Sequence, residues 1–274
     1  MKRILLTTIT VLLFAAAFNP AGAEDATPRI VKDVQAEGAC AIVGMSAEQS
    51  QLLALQRARM AAIEQAAGVR LTSTTIVTND RLAVDFIRAY AKGFIVNEKA
   101  EWLPLGQYQK DKSTPPVPEY KVKITADVYT PFKKIKPLGL TAQMNENTFR
   151  NGEKGLVKIR ADRDVKLAIF NITADDKVVM LFPNQYDRNN AVSGRETFVF
   201  PPKDSQIELE IQTLPGHTRD AEAIFVAVMD GNYAREFMNI FNPLEPMGFA
   251  GFFAKYSEIA DYCEDVIMAY EVTE

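Results

Sequence analysis

The chain has one histidine, one tryptophan and two cysteines among 274 residues. A lone histidine, His217, cannot supply the imidazoles of a usual zinc site. Neither Cys40 nor Cys263 stands at ligand spacing from it or from the other. No glycine-rich phosphate loop is present, and no Gly-x-Ser-x-Gly elbow to pair His217 with an activated serine. Gly and Pro, 14 each, are used slightly less than average, which excludes collagen-like and low-complexity chains. Positive charge is also short, at 31 Lys plus Arg against 35 Asp plus Glu. A net charge of −4 without long basic clusters is no footprint for nucleic acid or anionic lipid. Past Phe18 no apolar run approaches the roughly 20 residues of a membrane-spanning helix, so a polytopic membrane protein is excluded.

What is there begins with an address. Lys2 and Arg3 precede an apolar run from Ile4 to Phe18, Asn19-Pro20 end it, and Ala21-Gly22-Ala23 has the small-x-small form of a cleavage site. The expectation is a signal peptide over residues 1–23, a periplasmic or secreted mature chain, and no lipid anchor, because the first cysteine is Cys40. Removing Lys2 and Arg3 leaves 29 basic residues against 35 acids, a net charge of −6.

The rest reads as an α+β chain of two domains. In the first, residues 24–130, an alternating stretch (Val34, Ala36, Gly38, Cys40, Ile42) precedes a helix opened by the capping box Ser46-Ala47-Glu48-Gln49. The helix is alanine-rich, small enough to lie close on a sheet, and Gly68 ends it. A short strand over 72–78 and a second helix from Asn79 or Asp80 to Gly93 follow, then alternating strands from Phe94 to Trp102 and from Tyr120 to Val128. The order β-α-α-β-β predicts an antiparallel sheet covered by two helices, with Trp102 in the core. Residues 131–140, with Lys133-Lys134-Ile135-Lys136 beside prolines, read as a solvated linker. The second domain, residues 141–274, is expected to be a β-sandwich or a partly closed barrel, its short strands separated by turns such as Asp162-Arg163-Asp164, Asp175-Asp176 and Leu214-Pro215-Gly216. A helical, aromatic-rich tail from Arg235 to about Ala260 and a closing strand from Asp265 to Val272 complete it.

Two resemblances follow from these residues. Ala36-Glu37-Gly38-x-x-x-Ile42, the helix ending in Ala66-Ala67-Gly68-Val69, Gly93-Phe94-Ile95-Val96 and the strand from Tyr120 to Val128 resemble the N-terminal domain of flagellar assembly protein T and related small outer-membrane lipoproteins. That resemblance, over about Val31 to Tyr129, implies a periplasmic module acting by protein–protein contact without catalytic residues. Val157-Lys158-Ile159, the strand Leu167 to Ile172 and Leu181-Phe182-Pro183-Asn184 are similar to an uncharacterised bacterial β-domain family without assigned activity.

Candidate site residues are few. Phe249, Phe252 and Phe253 sit in an aromatic-rich tail suited either to a contact surface or to closing the end of the β-domain. Cys40 and Cys263, in an oxidising compartment, form a disulfide across a loop of about 220 residues or stay as two buried thiols. Asp187, Asn189 and Asn190, after Leu181-Phe182-Pro183-Asn184, offer oxygens without a known calcium-loop spacing, so a turn is the simpler reading. Asp175-Asp176 and Glu264-Asp265 read as amide-capping carboxylates. No catalytic residue, metal or cofactor is implied. The expected function is that of a non-enzymatic envelope protein, an assembly or scaffolding factor whose partners are other envelope proteins. The alternative is a secreted hydrolase or ligand-binding protein with acids in an interdomain cleft near His217 or Tyr186.

Overall fold

The computed structural model describes residues 29–68, Tyr90 and residues 92–274, and within it the first alternating stretch is strand β1, Arg29–Ala41. Helix α1, Ala47–Ala66, opens as the capping box requires: the Gln49 amide donates to Ser46 Oγ at 3.1 Å and the Ser46 amide to Gln49 Oε1 at 2.9 Å. The alanines bring α1 very close to β1. A Cβ on Gly38 would lie 2.0 Å from the Ala54 carbonyl oxygen and 2.5 Å from the Ala58 nitrogen, so only glycine fits there. Strands β2 (Phe94–Trp102), β3 (Gly106–Tyr108) and β4 (Val117–Thr130) complete an antiparallel sheet. In it β4 is central, with β1 on one side and β2 and β3 on the other. The segments expected to be an export signal (1–23) and a strand (72–78), and most of the segment expected to be the second helix, lie outside the described residues.

The second half is richer in strands: β5 (Thr141–Met144), β6 (Thr148–Arg150), β7 (Glu153–Lys154), β8 (Val157–Arg160), β9 (Val165–Ile172), β10 (Lys177–Phe182), β11 (Ala191–Val192), β12 (Thr197–Phe200), β13 (Glu210–Ile211), β14 (Arg219–Asp230) and β15 (Met247–Gly248). Helix α2, Phe249–Ser257, and strand β16, Cys263–Thr273, follow. A seven-stranded sheet runs β15-β10-β9-β14-β16-β6, with β11 beside β9; a three-stranded sheet runs β12-β8-β5, and β7 pairs with β13. The fold is β-rich α+β, as the turn-punctuated pattern predicts.

The seven-stranded sheet is a middle layer. One face (Leu167, Ile169, Ile224, Val226, Val228) packs on Val157, Ile159 and Phe200 of the small sheet, which makes the sandwich. The opposite face (Ala168, Phe170, Ala223, Phe225, Ala227) packs on α2 and shares one continuous core with α1 and the first sheet. Covered on both sides, β9 and β14 carry almost uninterrupted apolar runs rather than alternation.

Two expectations are corrected here, and two alternatives left open by the sequence are decided. Between Arg235 and Ala260 only Phe237–Asn239 (a 3₁₀ turn), α2 and the first residue of a second 3₁₀ turn are helical; Pro243 and Pro246 interrupt the rest, and the segment runs along the edge of β10. Trp102 is 42% exposed rather than core, because it ends a strand whose last four residues are all exposed. Cys40 and Cys263 are buried free thiols and no disulfide joins them. Cys40 stands opposite Tyr120 in the first sheet and Cys263 opposite Met229 in the seven-stranded sheet, so different layers hold them. Phe249, Phe252 and Phe253 are no more than 1% exposed and form no surface, because α2 lies between the seven-stranded sheet and β2.

Candidate functional site

Polar side chains gather at two seams between the halves and at one end of the sandwich. At the first seam Arg59, on the core-facing side of α1, is 2% exposed. Its guanidinium donates through Nε and Nη2 to Glu98 on β2, and through Nη1 and Nη2 to Asp176 in the β9–β10 turn, the Nη1 bond being 2.5 Å. The Phe249 ring lies 4.8 Å from the guanidinium carbon, close enough for a cation–π contact. Burial alone would lower the proton affinity of Arg59, but the two carboxylates outweigh it and hold the group firmly charged. One side chain thus ties α1, β2, the β9–β10 turn and α2 together.

The second seam holds the segment read as a linker against β16, with Lys133, Lys134 and Lys136 still exposed. Asp261, 4% exposed, accepts from Tyr129 Oη at 2.6 Å and from the Phe132 amide at 2.9 Å, and Lys134 stands 3.6 Å away. Lys133 pairs with Asp265 at 2.6 Å, and Glu264 accepts from the amides of Leu138 and Leu140. The segment over 131–140 is therefore strapped along the start of β16. Cys263 lies within this strap, and burial, the largest influence, pushes its thiol up to about 12. A thiol so protonated at neutral pH is a poor nucleophile.

At the end of the sandwich, Asp220 is 3% exposed and accepts from the Leu214 amide at 2.6 Å, with His217 Nδ1 also at 2.6 Å. Two residues along β14, Glu222 accepts from Tyr270 Oη at 2.6 Å, Asn171 Nδ2 at 3.1 Å and the Ala174 amide at 3.3 Å. Burial raises the Glu222 carboxyl above its ordinary range, and Asp220 adds to this by like charge. The folded state therefore holds a proton on Glu222 to a higher pH than the unfolded chain does. Stability falls as pH rises from the usual carboxylate range through the folded value. Glu222→Gln removes this titration, so the fall in thermal midpoint between pH 4 and pH 7.5 is expected to be smaller in the variant than in the unaltered chain. Thermal midpoints across that range check it.

Near this end an open groove separates α1 from the strand ends, lined by Met45, Gln49, Gln56, Arg219, Asp220 and Glu271. Arg219 Nη2 holds Glu271 through both carboxylate oxygens at 2.7 and 2.6 Å, Asp220 is engaged as above, and Gln49 Nε2 donates to the Arg219 carbonyl at 2.9 Å. Among the described residues no Ser, Thr or Cys hydrogen-bonds His217, and no group of three or more His, Cys, Asp or Glu side chains forms a cation cage. An Asp–His pair of this kind orients an imidazole, and here it staples the turn entering β14.

The remaining candidates are turn residues. Asn184 is fully buried: its Nδ2 donates to the Leu181 carbonyl, and its Oδ1 accepts from the amides of Tyr186 and Asp187. Asn190 Nδ2 donates to the Leu167 carbonyl, and Asn189 Oδ1 accepts from the Ala191 amide. Tyr186 is 62% exposed and does not line the groove. Asp175 pairs with Lys177, whereas Asp176 crosses to Arg59. Sequence reasoning missed Arg59, Glu98 and Asp261 altogether. Arg59 alone left a trace, as a charge inside the small-residue face of a helix.

Part of the chain matches a known family: residues 148–220, from β6 to the first residues of β14, match the domain of unknown function DUF4384. This accords with an uncharacterised β-domain in the second half, and no match to the flagellar assembly family is found for the first. No curated protein matches the chain.

Proposed function

We propose that the chain is an exported, periplasmic envelope protein that works by contact with other proteins, as an assembly or scaffolding factor. The observation that carries this reading is where the interior polar groups lie. Arg59, Asp176, Asp261 and Glu264 each join separate elements into one body, while Asp220 and Glu222 are engaged by neighbouring amides and hydroxyls. A scaffold whose ionisable interior is structural presents its outer sheet faces as working surfaces. The resemblance of residues 31–129 to the flagellar assembly module supports the same reading, since that family acts by contact. The match over 148–220 adds a β-domain to which no activity is assigned.

The groove beside Asp220 and Glu271 favours a second reading, a hydrolase or ligand-binding protein. Against it stands the pairing of each acid, Glu271 with Arg219 and Asp220 with His217. The deciding experiment passes envelope extract over immobilised protein and, in parallel, offers the purified protein envelope polymers as substrates. Specific partner capture without turnover is the expected result. Turnover abolished by Asp220→Asn would establish the hydrolase instead.

A further inference from the structure

The small sheet β5-β8-β12 has one face in the sandwich and the other in solvent. Inward go Ala142, Met144, Val157, Ile159, Phe198 and Phe200. Outward, as the pleat requires, go Thr141 and Gln143 on β5, Lys158 and Arg160 on β8, and Thr197 and Val199 on β12, all of them exposed. No outward position on these strands is a carboxylate, although the chain has more acids than bases. Among the described residues neither Lys158 nor Arg160 has an ion-pair partner. A shallow concavity lies over this face, lined by Thr141, Gln143, Lys158, Arg160 and Thr197.

The edge of the sheet is equally specific. The Asn145 amide donates to the Leu156 carbonyl, so even-numbered residues of β8 direct their backbone groups at β5 and odd-numbered ones at β12. Phe198 and Phe200 therefore bond to β8, and the amides and carbonyls of Thr197 and Val199 face outward from an edge with no further strand among the described residues. Pro201 and Pro202 end that edge on one side.

We infer that the outer edge of β12 takes an extended acidic segment of a partner protein as an added strand, its alternate carboxylates falling on the face of Lys158 and Arg160. The inference rests on the protein working by contact, and it names the chemistry of what is contacted. Residues of the incoming strand opposite Thr197 and Val199 project on the same side as Lys158 and Arg160. They repeat at about 6.6–6.8 Å, the spacing of the two cations themselves. Thr197 and Val199, both short, leave the long cationic side chains a path across the roughly 9.6 Å of two strand spacings to an acid. With only two outward residues the backbone bonds are few, so charge sets both affinity and choice of partner.

The probe is a fluorescein-labelled eight-residue peptide alternating Glu with Thr or Val, titrated against the full chain and read by fluorescence anisotropy. Saturable binding is expected, weakened at least tenfold by Lys158→Glu/Arg160→Glu and by 0.5 M salt, and lost when alternate peptide amides are N-methylated. Circular dichroism confirms that the double variant folds. No binding, or binding indifferent to N-methylation or to the charge reversal, overturns the inference. Equal, reversal-sensitive uptake of a sulfated polysaccharide or of phosphatidylglycerol vesicles overturns it too, since the face would then be a general anion site. If wild type and double variant capture the same specific envelope partner equally, the docking face falls while the contact function stands. If neither captures any, the contact function falls.

Discussion

Arg59→Ala is expected to destabilise the protein by about 3–5 kcal/mol, the range for removing one member of a buried ion group. The variant deletes both forks at once and leaves Glu98 and Asp176 facing each other in the seam, the Glu98 side chain only 14% exposed and that of Asp176 25%. Against total stabilities of about 5–15 kcal/mol this is a large fraction. Arg59→Lys keeps the charge but not the planar fork that reaches two carboxylates, so it falls between the two. Combining Arg59→Met with Glu98→Gln and Asp176→Asn removes the stranded charges as well as the guanidinium, and much of the loss should return. Urea unfolding of the four proteins measures this. A single alanine variant as stable as the parent would mean that water already solvates the seam.

The same side chain marks the limit of sequence reading. Local features were legible because their causes are local. Ser46 and Gln49 cap each other three residues apart, Gly38 meets an alanine helix that begins nine residues later, and alternation from Tyr120 to Val128 marks a strand half-covered by a core. Arg59 finds Glu98 after 39 residues and Asp176 after 117, and no pattern in the chain links them. Asp261 likewise takes its partners from Tyr129 and Phe132, more than 120 residues earlier. The acids at 261, 264 and 265 and the lysines at 133 and 134 were visible as charges, but only the fold places them face to face. The tail phenylalanines were legible as apolar and crowded. Whether they met solvent or a second sheet depended on the first half packing back over α2.

That packing underlies the other large expected effect. Phe253 is fully buried, with ring centroids 4.9 Å from Tyr90, 5.0 Å from Phe94 and 6.0 Å from Phe225. It touches the first sheet on one side and the seven-stranded sheet on the other. Phe253→Ala is expected to cost about 3–5 kcal/mol, the lost transfer of the ring plus the cavity it leaves. How the loss is distributed is as informative as its size. Trp102, the only tryptophan, reports on β2 in the first half, whereas far-ultraviolet circular dichroism sums the backbone of both halves, α1 and α2 included. One continuous core across both halves predicts coincident denaturation curves from the two probes in the parent protein. In Phe253→Ala both curves should move together to lower denaturant, because the deleted ring belongs to both halves. If the circular dichroism curve moved while tryptophan fluorescence stayed, the halves would be folding independently, and Arg59 and the aromatic helix would be contacts between finished domains rather than the centre of one.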